Sequence, residues 1–192
     1  VTRTARTTLL GLSLVAFSSC TLIQRPDPVT TLQVTLADES LRWPAVIALG
    51  KVDSVSALRS NRILVIDGAK LMQHDGLRWI DTPAVMLSEQ LRALHARATA
   101  TEAATGSLDV WLGDFNLRVA ADGSREAVAG AHASLRCSDA DRILTIAPVA
   151  ASASLASSDP QALADAFAGA STEVAAALLS QAETLSAGCK NP

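Results

Sequence analysis

Cys20, Cys137 and Cys189, together with His74, His95 and His132, are the side chains best suited to covalent or acid–base chemistry in this sequence. The histidines are scattered over separate predicted elements. No HExxH segment or comparable zinc spacing occurs. There is no GxSxG nucleophile elbow and no phosphate-cradling glycine loop. Serines are common, but no spacing pairs one with a base. Asp109, Asp114 and Asp122 fit separate solvated positions rather than an acid/base pair. Hydrolytic and transfer chemistry needs a positioned nucleophile, acid, base or metal, whereas binding needs only a surface. The chain therefore reads as a non-enzyme requiring no metal or cofactor. With 19 acidic and 16 basic residues it lacks the excess positive charge that a nucleic-acid footprint requires. Aromatics make up 3% and Tyr is absent, which argues against a stacking platform for bases or sugars. A hydrophobic content of 49% argues against a disordered chain, and 192 residues suit one domain with appendages.

The thiols make sense only once the N-terminal segment is read. Arg3 and Arg6 precede an apolar run, Leu9–Phe17, which is followed by Ser18, Ser19 and Cys20. A basic segment, a short apolar core and a small-residue exit form a secretory signal over residues 1–19. The core is too short to span a bilayer, which takes about 20 apolar residues. Phe17-Ser18-Ser19-Cys20 resembles a bacterial lipobox. That resemblance implies cleavage before Cys20, a thioether diacylglycerol on its sulfur and acylation of the freed amine. Several acyl chains anchor firmly where one holds only marginally. Thr21, in place of Asp, implies sorting to the outer membrane. Losing Arg3 and Arg6 would move the formal charge from −3 to −5. Residues 20–29, with Pro26 and Pro28, read as the lipidated Cys and a tether.

With Cys20 assigned to lipid, Cys137 and Cys189 remain, and an oxidising compartment permits one disulfide between them. The loop of about 50 residues would be worth roughly 4 kcal/mol on the chain-entropy model. Two separate thiols are the alternative.

The remaining chain, 30–192, reads as a single periplasmic α/β domain. It is a layered mixed sheet with an antiparallel meander in its C-terminal half, covered by two long helices. Strands are predicted at Thr30–Leu36, Pro44–Asp53, Asn61–Asp67 and Lys70–His74. Asp75-Gly76 reads as a hairpin turn returning through Leu77–Ile80. Ser54–Arg59 reads as a short helical turn. A helix is predicted over Thr82–Ala98, with Thr82 as N-cap, Pro83 in its first position, and Val85, Leu87, Leu91, Leu94 and Ala98 on its apolar face. In the strand Leu108–Ala120 the apolar phase changes: Leu108, Val110 and Leu112 precede it, and Phe115, Leu117 and Val119 follow it. Only a bulge near Gly113 puts both sets on one face. Asp122-Gly123 turns the chain into Glu126–Cys137, whose alternate alanines allow close helix approach. A turn at Asp139–Asp141 leads to Arg142–Val149. Ala150–Ser157 reads as a low-complexity link. A second helix is predicted from Pro160 to Leu185, with Ser158 as its cap and Ser186–Pro192 as a tail.

The tryptophans are the candidate anchors for the fold or a partner. Trp79 reads either as a core plug between sheet and helix or as a partly exposed anchor. Trp43, before Pro44 at a strand entrance, reads as the more exposed one. Trp111 falls out of phase with Leu108, Val110 and Leu112, so it belongs to the opposite sheet face, a patch candidate if that face is uncovered. His95 reads as a boundary residue beside the helix stripe.

The order of these features resembles the auxiliary outer-membrane lipoproteins of MCE-type ABC transport systems, the paraquat-inducible C lipoprotein-like family. The residues concerned are Phe17–Cys20, Ala45–Val52, Asn61–Asp67 and, most clearly, Gly76–Leu91. In that last stretch Arg78-Trp79 leads through Asp81-Thr82-Pro83 into a helix. Leu112–Phe115, Ala127–Leu135 and the Ala-rich helix from Pro160 follow in family order. The family's Tyr-rich first strand is missing. The resemblance implies a periplasmic domain held to the outer membrane by lipid. It would assist an MCE-domain protein with its inner-membrane permease and ATPase in moving phospholipid or other hydrophobic cargo, and homo-oligomerisation is a candidate state. Arg78 and Trp79 are the residues it marks for the fold. Two other functions compete: a structural or assembly lipoprotein of an outer-membrane complex, and a periplasmic lipid carrier, which would need an internal apolar cavity.

Overall fold

A computed structural model of the chain describes residues 28–36, 40–98, 103–138 and 141–189. The signal segment, Cys20 and most of the tether lie outside the described residues. So do residues 37–39 and 99–102, most of the Asp139–Asp141 turn, and residues 190–192.

Among the described residues, seven strands and two long helices form a two-layer α/β domain. The spine is the strand β5 (Gly106–Val119). On one side it pairs with β6 (Arg125–Cys137), which pairs with β7 (Ile143–Ser154), giving the expected antiparallel meander. On its other side β5 carries two parallel partners in succession. β2 (Ile47–Ser54) lies along its first half and β3 (Arg62–Asp67) along its second. The 3-10 turn Ser56–Leu58 separates them, where a short helical turn was expected. β4 (Lys70–Trp79) pairs antiparallel with β3, and β1 (Thr30–Leu32) pairs parallel with the end of β4.

The bulge forms at Gly113. Leu112 faces Ala131 and Asp114 faces Gly130, which leaves Gly113 as the extra residue. Leu108, Val110, Leu112, Phe115 and Leu117 are consequently all buried together. A second bulge lies in β2 between Leu49 and Val52, and a third in β7 opposite Ala131–Ala133. The β7 bulge holds Ala147 and Pro148, where an edge strand tolerates a residue with no N–H.

Helix α1 (Pro83–Arg97) packs on β2, and α2 (Pro160–Cys189) packs on β6 and β7. Both lie on the face carrying Leu108, Val110 and Leu112. Helix α2 is long and apolar enough to cross a membrane by composition, but its buried face is spent on the sheet. Ala127, Ala129, Ala131 and Ala133 of β6 meet its alanines in the core.

Several expectations need correction. Asp75-Gly76 is not a hairpin turn. The turn is at Gly68 (φ 55°), and β4 runs straight through Gly76, whose φ of 75° serves a bulge between the Leu64–Gln73 and Arg62–Arg78 pairs. Leu77–Trp79 then pairs with β1, so the chain has no reason to fold back. The first strand stops at Leu32, although Val34 still packs inward. The stripe of α1 is rotated: Pro83, Met86, Leu91 and Leu94 are buried and Val85 is exposed, because Pro83 itself enters the core. The Ala/Ser tract is strand to Ser154, since its alternation matches the two-residue period and Ala150–Ser154 pairs with Glu126–Gly130. Helix α2 continues to Cys189 and is capped by Asp159, whose Oδ1 accepts from the Ala162 N–H at 2.8 Å, rather than by Ser158. Thr82 occupies the N-cap position of α1 but its hydroxyl makes no capping bond. Its N–H donates to Asp81 Oδ1 instead.

Candidate functional site

Cys137 and Cys189 are joined, with Cα atoms 5.2 Å apart. The bridge ties the last turn of α2 to the end of β6, and both half-cystines are buried.

Trp79 is fully buried, with 0% exposure. Strand β4 delivers it beneath α2, where its ring stands edge-on to Phe115 at 5.3 Å and Phe167 at 4.9 Å. These two phenylalanines are themselves 4.6 Å apart. The cluster bolts β4, β5 and α2 together, so Trp79 faces the core rather than a partner. Its indole Nε1–H has no hydrogen-bond partner among the described residues. Arg78 points the other way, half-buried, between Thr31 of β1 and Arg62 of β3 in the ladder.

Trp43 is buried rather than exposed. Its Nε1–H donates to the Ile47 carbonyl at 2.6 Å, and its ring meets His95 edge-on at 5.3 Å. The ring folds back over the strand it precedes and satisfies its one polar atom there, which a count of flanking residues cannot foresee.

Trp111 lies on the face away from the helices and is half-buried. Its ring stacks on the exposed His132 at 6.4 Å, with Lys51 Nζ 6.0 Å from its centroid. Around it the charges are already paired. Asp109 Oδ1 accepts the Lys51 backbone N–H at 2.7 Å within the β2 bulge, and Asp109 Oδ2 pairs with Arg136 at 3.0 Å. Asp53 pairs with the Lys51 ammonium at 2.7 Å. The hydrogen bond from Lys51, then that from the Ser54 N–H, hold the Asp53 carboxyl below its ordinary value. Asp53, Trp111, His132 and Thr145 border an open depression of about 380 Å³. Among the described residues no hydrogen bond joins His132, His95 or His74 to a hydroxyl or carboxylate, and no cluster of His, Cys, Asp and Glu is arranged to hold a metal. This surface can cradle a flat or apolar group, but it assembles no nucleophile with a base.

Between α1 and α2, Val34, Leu36, Met86, Phe115 and Val174 line an apolar crevice of about 20 Å³, with the buried Ser171 hydroxyl in its wall. That is room for about one water. Ligand sites run to about 300–1,000 Å³.

Leu71 and Met72 were not singled out in the sequence. They are 61% and 43% exposed, at the tip of the β3–β4 hairpin. The available signal was their adjacency: consecutive strand residues point to opposite faces, so they cannot share one core.

No family model matches the chain, and no curated protein matches it by sequence. Solved structures share its fold. A crystal structure of a Xanthomonas campestris protein assigned to the family model DUF330 superposes with a TM-score of 0.66 at 19% identity, covering 83% of this chain and 99% of that one. A second crystal structure, described only as an uncharacterized protein, gives 0.61 at 12% identity, over 81% of this chain and 99% of that one.

Proposed function

We propose that this chain is a non-catalytic periplasmic lipoprotein, moored to the outer membrane through Cys20. In this reading it assists an MCE-type ABC transport system in passing phospholipid or another hydrophobic cargo between membranes. The carrying observation is a body stapled by Cys137–Cys189 behind a segment that ends in a lipobox-like Cys20. Disulfides persist in oxidising compartments, and the periplasm is one. The partner class rests on the family resemblance, centred on Arg78-Trp79 and the helix that follows. Apolar cargo crossing water must stay shielded, and a tethered adaptor raises the local concentration of its docking partner near the acceptor membrane.

A crevice of about 20 Å³ supports an adaptor over a carrier that encloses lipid. Intact mass of the mature protein should show Cys20 as an acylated N-terminus. Affinity capture of the lipidated protein from detergent-solubilised envelopes should recover an MCE-domain protein with its permease and ATPase. Repeated recovery of envelope-assembly proteins alone would replace transport with the structural role.

A further inference from the structure

We infer that the β3–β4 hairpin is the membrane-facing end of the domain, with Leu71 and Met72 seated in the phospholipid interface beside the anchor. This rests on the lipid anchor read at Cys20 and deepens it by fixing which end meets the bilayer.

The direction of the chain carries the inference. β1 runs parallel to β4, with Thr30 opposite Leu77 and Leu32 opposite Trp79. Traced backwards from Leu32, the chain therefore heads toward the start of β4, which is the hairpin tip. Pro28 and Val29 are exposed along that path, Val29 at 48%. From Leu77 to Lys70 is about 20 Å at strand rise. The ten residues from Cys20 to Val29 reach at most about 35 Å. The anchor can thus bring the hairpin tip to the bilayer without the chain reversing, whereas Ile143 and the disulfide lie at the opposite end of the sheet, behind the direction in which the chain leaves β1.

The tip has the chemistry for it. Leu71 and Met72 project to opposite faces of a strand whose outer edge is unpaired among the described residues, because β1 reaches back only to Leu77. A two-sided apolar tip has no single protein face to bury against, but a lipid interface surrounds it. Asp67 and Lys70 pair across the turn, where Lys70 suits phosphate headgroups. The neighbouring β5–β6 turn, Ala120–Ser124, shares this end and carries no large apolar side chain. Contact is therefore weighted to the β4 edge.

The test uses the full-length lipidated protein reconstituted in vesicles of phosphatidylethanolamine and phosphatidylglycerol, with and without brominated acyl chains. Two variants are compared with the parent, Leu71→Trp and Ile143→Trp. Ile143 is equally exposed at 57% but sits at the opposite end of the sheet. For a ring about 5–10 Å into the headgroup boundary, L71W should add blue-shifted emission that brominated lipid lowers roughly two-fold. I143W emission should be indifferent to bromination. Acylated mass at Cys20 with unquenched L71W, or stronger quenching of I143W, overturns the orientation while leaving the anchor intact. A mass showing unmodified Cys20 overturns the anchor and the orientation with it.

Discussion

Reducing the Cys137–Cys189 bridge should cost this protein a large share of its stability. The bridge closes a loop spanning 52 residues that contains the whole of β7 and nearly all of α2. On the chain-entropy model a loop of that length removes about 4 kcal/mol of unfolded-state freedom. That corresponds to nearly a thousand-fold change in the folding equilibrium. In a domain of this size each kcal/mol moves Tm by roughly 2–4 °C, so Tm should fall by about 8–16 °C on reduction. Urea denaturation of one preparation, with and without reductant, isolates the effect because no side chain is replaced. The reduced chain should also show the steeper dependence on urea, since its unfolded state exposes more surface. Cys137→Ala with Cys189→Ala should lose at least as much, because both half-cystines are buried. Equal midpoints for the oxidised and reduced chains would refute the entropy argument for this loop.

Trp79→Ala should destabilise by about 3–5 kcal/mol in chemical denaturation, because it opens a hole between Phe115 and Phe167. At Gly50 a Cβ would sit 2.2 Å from Asp109 Oδ1, so Gly50→Ala must evict that carboxylate from the β2 bulge at a cost of about 1–3 kcal/mol. The same change in an Asp109→Ala background should cost less, a coupling that a double-mutant cycle reads directly. Asp159 is held below its ordinary value of 3.8, first by the Ser157 hydroxyl and then by the Ala162 N–H. A depressed carboxyl stabilises the fold fully above 3.8 and loses that contribution as pH falls through the lower folded value. Asp159→Asn should therefore flatten the acid limb of stability measured from about pH 5 downward.

The parts of this fold that could be read from sequence are those where one periodicity dominates. The phase change in β5 demanded a bulge because Leu112 and Phe115 cannot otherwise share a face, and Gly113 supplies it. The same alternation put Trp111 on the far side. The disulfide followed from two leftover thiols. What escaped the reading depended on neighbours distant in sequence. Gly76 has the composition of a turn but is held in a strand by β1, a segment some 45 residues earlier. Trp43 looked exposed until β2 and His95 were placed against it. The roll of α1 was decided by Pro83 entering the core, a tertiary choice that helical periodicity leaves open. The low-complexity Ala/Ser composition of Ala150–Ser154 reads as a link, yet it alternates like any strand and pairs with β6.

The alanine-on-alanine seam between β6 and α2 has one further consequence. Alanine surrenders no rotamer freedom when buried, so this half of the protein is ordered without the entropic toll that longer side chains levy. It also has little slack beyond a methyl group. A methyl added at Gly169 would meet the Ala153 methyl of β7 at 3.8 Å, an ordinary contact, so that position takes one more carbon without strain. Larger groups cannot swing aside, because their neighbours have no torsions to adjust. Growth beyond a methyl should push the helix off the sheet, least at the end that Cys189 ties to β6. Substitutions there should be felt furthest from that tie, where Leu163 and Phe167 close over the sheet.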